Sequence, residues 1–241
     1  MPAKLYVVHG SHPCTTVEEA LKLKGIAYKT VEFPPPMHAA LMRPLFGART
    51  VPGLKLEDGE KLQGSRAILR RLDELVPEPP LYGRTAQERA KIEEAELWGD
   101  EVLQGVVRHL IWPALAQRPD CMPAYQEGSK LPPIPMPVLK LMAPAITSIE
   151  KRLNGATDEA VRGDLRAMPA HLDRIDGWIA DGVLGGDQPN AADLQIAPSL
   201  RLLITFGDVR PMFEGCPAAD LAHKWLSPMK GSTPPGLLQA A

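Results

Sequence analysis

An α/β domain followed by an all-helical domain is the fold class predicted by this 241-residue chain. Three observations carry that prediction. Near the N-terminus, apolar runs of strand length alternate with a helix-spaced stripe. A proline cluster, Pro77-Glu78-Pro79-Pro80, then reads as a stiff linker. Beyond it every strong periodicity is helical. The expected domains are therefore 1–80 and 81–241. At 44% hydrophobic and 23% charged, the chain can bury a large core.

Leu5-Tyr6-Val7-Val8 is β-rich and continuous, as a buried strand should be. After Gly10, Pro13 suits a first helical turn, and Val17, Ala20 and Leu21 share one helix face. Gly25 stops that helix, and 27–33 reads as a second strand ended by Pro34-Pro35-Pro36. His38 to Leu45 is a short helical segment closed by Gly47. Asp58-Gly59 between two short apolar runs signals a hairpin, because glycine accepts positive φ. Ser65 is expected to cap a helix striped by Ile68, Leu69, Leu72 and Leu75. This β-α-β, variable segment, β-β-α order is that of a thioredoxin-like domain, with one right-handed parallel crossover.

In the second domain Thr85 caps a long helix striped by Ala95, Trp98, Val102 and Val106. Residues 118 to 137 form a proline-rich loop, long enough to close over a site or to be only a loop. Val138, Met142, Ala145 and Ile149 stripe the next helix. Asp158 caps the one after, whose stripe runs Val161, Leu165, Met168, Leu172, Ile175 and Ile179, with a kink or split expected at Pro169. Asn190-Ala191-Ala192-Asp193 reads as a capping box opening a helix through Leu203 or so. The tail, Ser232 to Ala241, reads as frayed.

Composition narrows the function. A net charge of -2 leaves no basic excess to neutralise nucleic-acid phosphates. No apolar run approaches the ~18 residues of a membrane span. No export signal is visible, so a cytoplasmic location is the default expectation. Cys14, Cys121 and Cys216 fit neither zinc spacing nor a disulfide framework, and no metal is expected.

The chemistry converges on Ser11-His12-Pro13-Cys14, which delivers a hydroxyl and a thiol to the positive end of a helix. That stretch resembles the Ser-x-Pro-Cys of theta-like glutathione S-transferases. Val51-Pro52 matches the family's valine before a cis proline, Gly64-Ser65-Arg66-Ala67-Ile68 stands where it has Glu/Gln-Ser-x-Ala-Ile, and Asn190 to Asp193 matches its capping box. The resemblance spans nearly the whole chain. It implies the glutathione S-transferase fold and a detoxification-type enzyme, working as a homodimer on glutathione and a small hydrophobic electrophile.

By the same resemblance Ser11 donates a hydrogen bond to the glutathione sulfur; simple helix capping is the competing account. Thr50, Val51 and Pro52 would pair with the tripeptide as an added strand, and Ser65 would hold its γ-glutamyl carboxylate. His38 would approach its glycine end. His12 either tunes charge or is an exposed loop residue. Trp98, Glu101, Gln104, Arg108 and Trp112 lie along the helix that walls the electrophile site in similar enzymes. Gly64 departs from the family's acid or amide, with Gln63 one residue away and out of register. The segment from Arg43 to Thr50 departs from its Asn-Pro-x-Gly-Lys. These departures keep three alternatives open: a different low-molecular-weight thiol, a non-catalytic transferase-fold binding module, or a thiol-dependent reductase or peroxidase working through Cys14. Cys14 as a small packed residue is the plainer expectation.

Overall fold

The computed structural model describes residues 2–238. Strands β1 (Ala3–Val7), β2 (Tyr28–Glu32), β3 (Gly53–Lys55) and β4 (Lys61–Gln63) form one sheet in the order β2-β1-β3-β4. β1 pairs parallel with β2, through the crossover helix α1 (His12–Leu23), and antiparallel with β3. α2 (His38–Phe46) and α3 (Ser65–Leu75) complete this thioredoxin-like part. Gly59 turns the β3–β4 hairpin at φ 96°, as Asp58-Gly59 predicts. Leu5, Val7, Val17, Leu21, Leu54, Ile68 and Leu72 fill the space between sheet and helices.

The remainder is helical: α4 (Ala86–Trp98), a π-helical turn (Gly99–Leu103), α5 (Gln104–Gln117), the short α6 (Met122–Tyr125), α7 (Met136–Asn154), α8 (Asp158–Ala180), α9 (Ala191–Leu203) and α10 (Pro217–Lys224). Thr85 with Glu88 and Asn190 with Asp193 form full capping boxes, as their spacing predicts. Among the described residues no helix is long and apolar enough to cross a membrane.

Five expectations are corrected. The cap of α8 is Thr157, with Asp158 its first helical residue. α8 also runs unbroken through Pro169. Gly64 occupies the cap position of α3, and Ser65 begins the helix. α7 is rotated from its predicted phase: Leu139, Ala143 and Thr147 face inward, while Val138, Met142 and Ile149 are exposed. Along α4–α5 the π turn adds one residue to the period, so Trp98 is followed inside by Leu103 while Val102 turns outward. Gly99 sits where a Cβ would stand 2.9 Å from Ile196, so α9 crosses there at close range.

Two buried charges fix the helical part against the sheet. Lys24, 5% exposed, donates to Asp73 and to the carbonyls of Val76 and Pro79, which pins the linker. Glu96, fully buried on α4, accepts from Tyr82 and from Arg66 and Arg70 of α3. Each charge has the partners that burial demands. The Thr16 hydroxyl of α1 adds a bond of 2.7 Å to the Leu194 carbonyl of α9.

Candidate active site

Between the sheet's edge loops and α5 and α7 lies a cleft of about 190 Å³ that opens to solvent. Ser11 sits at its floor in the cap position of α1, half-exposed, with φ -69° and ψ 120°. Its side chain makes no cap hydrogen bond. The helix instead satisfies its first turn with the Ser11 carbonyl, which accepts from Cys14 and Thr15, and Pro13 has no N–H to satisfy. The hydroxyl is thus left to the cleft and to the neighbouring Cys14 sulfur.

Cys14 is 2% exposed, and burial pushes its thiol up to about 12 against the Ser11 hydroxyl's opposing effect. A thiol so held does not ionise near neutral pH. His12 is not an exposed loop residue: it is buried on α1, with Nε2 unpartnered, and burial followed by the Arg108 charge holds it well below the usual histidine range. Arg108 lies half-buried on the cleft wall, where it donates to the Gln104 carbonyl and side chain and has no carboxylate within ion-pair distance among the described residues. Desolvation lowers its pKa, with Asp100 opposing. A guanidinium so placed favours an arriving anion.

Thr50 and Val51 border the cleft, and the Val51–Pro52 peptide is cis. Val51 lies outside the sheet register, which starts at Gly53, so its main chain is not committed to β1. The amide of Gln63 is committed: it donates to the Thr50 hydroxyl at 2.6 Å and to its carbonyl at 3.2 Å. Gly64 has φ 86° and ψ 141°, a backbone region reserved for glycine, so the missing acid or amide has a backbone reason. Pro52, Gln63, Gly64 and the buried Ser65 stand next to the cleft in sequence but are not among its lining residues.

Of the residues expected on the electrophile side, Arg108 and Trp112 line the cleft. Trp98 does not: it packs edge-on against His171 and Trp178, 5.5 and 5.3 Å between ring centroids, inside the helical core. Glu101 is exposed on the π turn, away from the lining, and Gln104 stands behind Arg108 as its hydrogen-bond partner. His38 lines the cleft, with Glu150 of α7 facing its Nδ1 at 3.8 Å. Burial holds the His38 pKa low and raises that of Glu150 to about 7. Ile111, Leu115, Leu153 and Leu202 make the rest of that wall apolar.

Sequence reasoning missed Glu150, Asn154, Tyr125 and Gln126, which reach the cleft from distant segments. Only the length of the 118–137 loop hinted at the last two. That loop folds back on the sheet: Ser129 and the Lys130 amide donate to Glu32, and the His9 ring meets the Glu127 carbonyl at 2.9 Å. Tyr125 is buried against Gly231 and bonded to Thr205.

Residues 5–80 match the glutathione S-transferase N-terminal domain family. No curated protein sequence matches the chain. Among solved structures it is similar to beta-etherase LigF from Sphingobium sp. strain SYK-6, at 20% identity and TM-score 0.65 over 93% of this chain and 94% of that one. It is also similar to a glutathione S-transferase from Rhodospirillum rubrum F11, at 21% identity and TM-score 0.59 over 95% and 96%. Glutathione transferase F2 from Populus trichocarpa aligns at 18% identity and TM-score 0.62 over 92% of each chain. Identities this low speak for the fold alone. The chain thus carries a segment, residues 5–80, that matches the glutathione S-transferase N-terminal domain, and it shares the fold of these solved structures over nearly its whole length.

Proposed function

We propose that the protein is a theta-like glutathione transferase, in which the Ser11 hydroxyl stabilises the glutathione thiolate for attack on a small electrophile. The observation that carries this reading is that Ser11 occupies a helix cap position without capping, its hydroxyl beside the cleft and the Cys14 sulfur at the positive end of α1. Each unit of thiol pKa depression requires ~1.4 kcal/mol of preferential thiolate stabilisation, within reach of a hydroxyl donor and a helix N-terminus together. The sulfur then displaces a leaving group or adds to the electrophile.

Thr50 to Pro52 would hold the tripeptide's main chain, and His12, His38, Gln63, Gly64 and Ser65 would surround it. Arg108 offers charge to one of its carboxylates. The apolar wall of Ile111, Trp112 and Leu115 suits a hydrophobic electrophile. The similar beta-etherase makes an aryl ether a class to test beside an aryl halide. A cytoplasmic homodimer is the accompanying proposal for its assembly and location.

The test is calorimetric binding of glutathione, followed by turnover of an aryl halide and an aryl ether with wild type and Ser11→Ala. The expected result is binding, turnover, and a 10²–10³-fold loss of kcat/KM in the variant, the usual size for one oxyanion-type donor. Equal turnover by Ser11→Ala overturns the role of Ser11. Absence of glutathione binding favours the second reading, a non-catalytic binding module, which the commitment of Gln63 to Thr50 and the glycine at position 64 support. The reductase reading through Cys14 has the buried, proton-retaining thiol against it.

A further inference from the structure

Large apolar side chains left in the open gather on one side of the molecule. Among the described residues ten are exposed, and eight of those belong to two stretches: Met37 and Leu41 at the start of α2, and the rest on α7 or just before it. Apolar residues exposed singly need no explanation, but a contiguous set does. On α7, Val138, Leu141, Met142, Ile149 and Leu153 recur at steps of three, four and seven, which makes one stripe along the helix. Leu141 is 81% exposed, so the stripe stands outward from the fold. It also runs up to the cleft. Leu153 and His38 both line it, and His38 Nδ1 lies 3.8 Å from Glu150 of α7, so the start of α2 and the end of α7 are neighbours at its mouth.

The charges around the stripe have one sign. The single acid of α7, Glu150, is buried and turned inward towards His38. Lys140, Lys151 and Arg152 of α7, and Arg49 on the cleft's border, have no carboxylate within ion-pair distance among the described residues. By contrast Arg70, Arg71, Arg84 and Arg89, around α3 and α4, are each in an ion pair. Asp120, which feels the Lys140 charge, is already held by Arg118. Asp158 and Glu159 lie past the Gly155 turn, in the first turn of α8.

We propose that this face, α7 together with Met37 and Leu41, docks on an anionic lipid surface and sets the mouth of the cleft against it. A helix with a free apolar stripe and only basic outward charges is built to lie in the plane of a membrane interface, which requires no spanning segment. Its 19 residues offer a contact ~28 Å long. Arg152, inside the stripe, covers apolar surface with its stem and reaches the headgroups with its guanidinium. Charge argues against a second copy as the occupant. Two copies meeting on α7 across a two-fold axis set Lys140 against Lys151 and Arg152 of the other copy, or each cation against itself, and like charges repel. Shape argues against another protein: a fluid surface moulds itself to a projecting helix, whereas a protein partner needs a matching groove.

The docking rests on this face alone and is tested without glutathione. Only the passage of an apolar electrophile from the lipid into the cleft rests on the transferase reading, so loss of glutathione binding would remove that passage and leave docking intact. The test is flotation of the full chain with vesicles, read as bound fraction against lipid concentration. Vesicles of phosphatidylcholine alone are compared with vesicles carrying about 30 mol% phosphatidylglycerol, in ~0.1 M salt. Wild type is expected to float with the anionic vesicles, to stay behind with the neutral ones, and to come off as salt rises. The triple variant Lys140→Gln, Lys151→Gln, Arg152→Gln should bind about a hundredfold more weakly, since each lost cation is worth about fivefold. Leu141→Asp, at a side chain the fold barely packs, should bind about tenfold more weakly. Leu75→Asp, an exposed apolar residue at the end of α3, should bind as wild type does. No flotation of wild type with anionic vesicles overturns the proposal, as does undiminished flotation of both the triple variant and Leu141→Asp. A dimer that Leu141→Asp splits on size-exclusion chromatography, with no vesicle binding by wild type, overturns it in favour of a second copy.

Discussion

The cleft has two walls built by different rules. One is made by the turn from β1 into α1 and by the approach to β3, where Ser11, His12, Thr50 and Val51 sit in short runs and present a hydroxyl and main-chain groups. The other is made by α2, α5 and α7, where His38, Arg108, and the Glu150 and Asn154 pair converge from three distant stretches. The first wall owes its reactivity to backbone geometry: a cap position that does not cap. The second owes its character to burial, which moves three titratable groups from their ordinary states. Polar chemistry near a helix end is therefore encoded locally, while charge tuning is a property of packing.

The largest expected effect tests the first wall. The Ser11→Ala loss of 10²–10³-fold in kcat/KM corresponds to ~2.7–4 kcal/mol, and a titration of bound glutathione should show its thiol pKa rising in parallel. A kinetic loss without that rise would move the role of Ser11 from sulfur stabilisation to positioning. Next in size is a pH effect on the second wall. Glu150 keeps its proton in the folded chain up to about pH 7, whereas an ordinary glutamate loses it near 4.5. Between those values the folded state binds more protons than the unfolded one, so stability falls as pH rises, by roughly 3 kcal/mol if fully expressed. Asp193, raised to about 6, acts in the same direction, while His38, held neutral by burial, acts oppositely as pH falls through 6.5. Urea unfolding of Glu150→Gln from pH 4.5 to 7.5 should show a shallower decline than wild type. An identical slope would mean that Glu150 ionises normally.

The contrast between the walls also explains what could be read in advance. Features set by neighbours in sequence were legible: both capping boxes, the Asp58-Gly59 hairpin, Ser11 at a helix start and the Val51–Pro52 turn. Features set by phase were less so. α7 buries Leu139, Ala143 and Thr147 and leaves Val138, Met142 and Ile149 exposed. The π turn at Gly99–Leu103 shifts the stripe of the long helix by one residue, which no 3.6-period count anticipates. Trp98 has the spacing of a cleft residue and the packing of a core one. Glu150 and Asn154 are one turn apart on a helix whose buried face departs from its apolar spacing, so the approach of Glu150 to His38 has no sequence signal.

A smaller effect is expected where the first wall departs from the family pattern. Gly64→Gln restores the family's amide in a backbone conformation that side chains rarely adopt, at a cost of about 1–3 kcal/mol. Nothing lies within 4 Å of the added Cβ, so the loss should be conformational rather than steric. Thermal unfolding measures it, and glutathione calorimetry on the same variant asks whether the amide then reaches the γ-glutamyl amine. Unchanged stability would show that this turn relaxes freely, and the glycine would need another explanation.

The smallest effect concerns the sulfur beside Ser11. Cys14 belongs to the same buried core as Val17 and Leu21, and burial holds its proton to about pH 12. Cys14→Ala removes one buried sulfur atom, and the cavity costs about 1 kcal/mol of stability, while kcat/KM for an aryl halide stays within about twofold of wild type. The hydroxyl and the thiol lie one helical turn apart, yet burial divides their roles. Only Ser11 is open to the cleft, so only its removal should reach the chemistry. A collapse of turnover in Cys14→Ala, with the fold intact by circular dichroism, would reverse that assignment and bring back sulfur redox chemistry at this helix start.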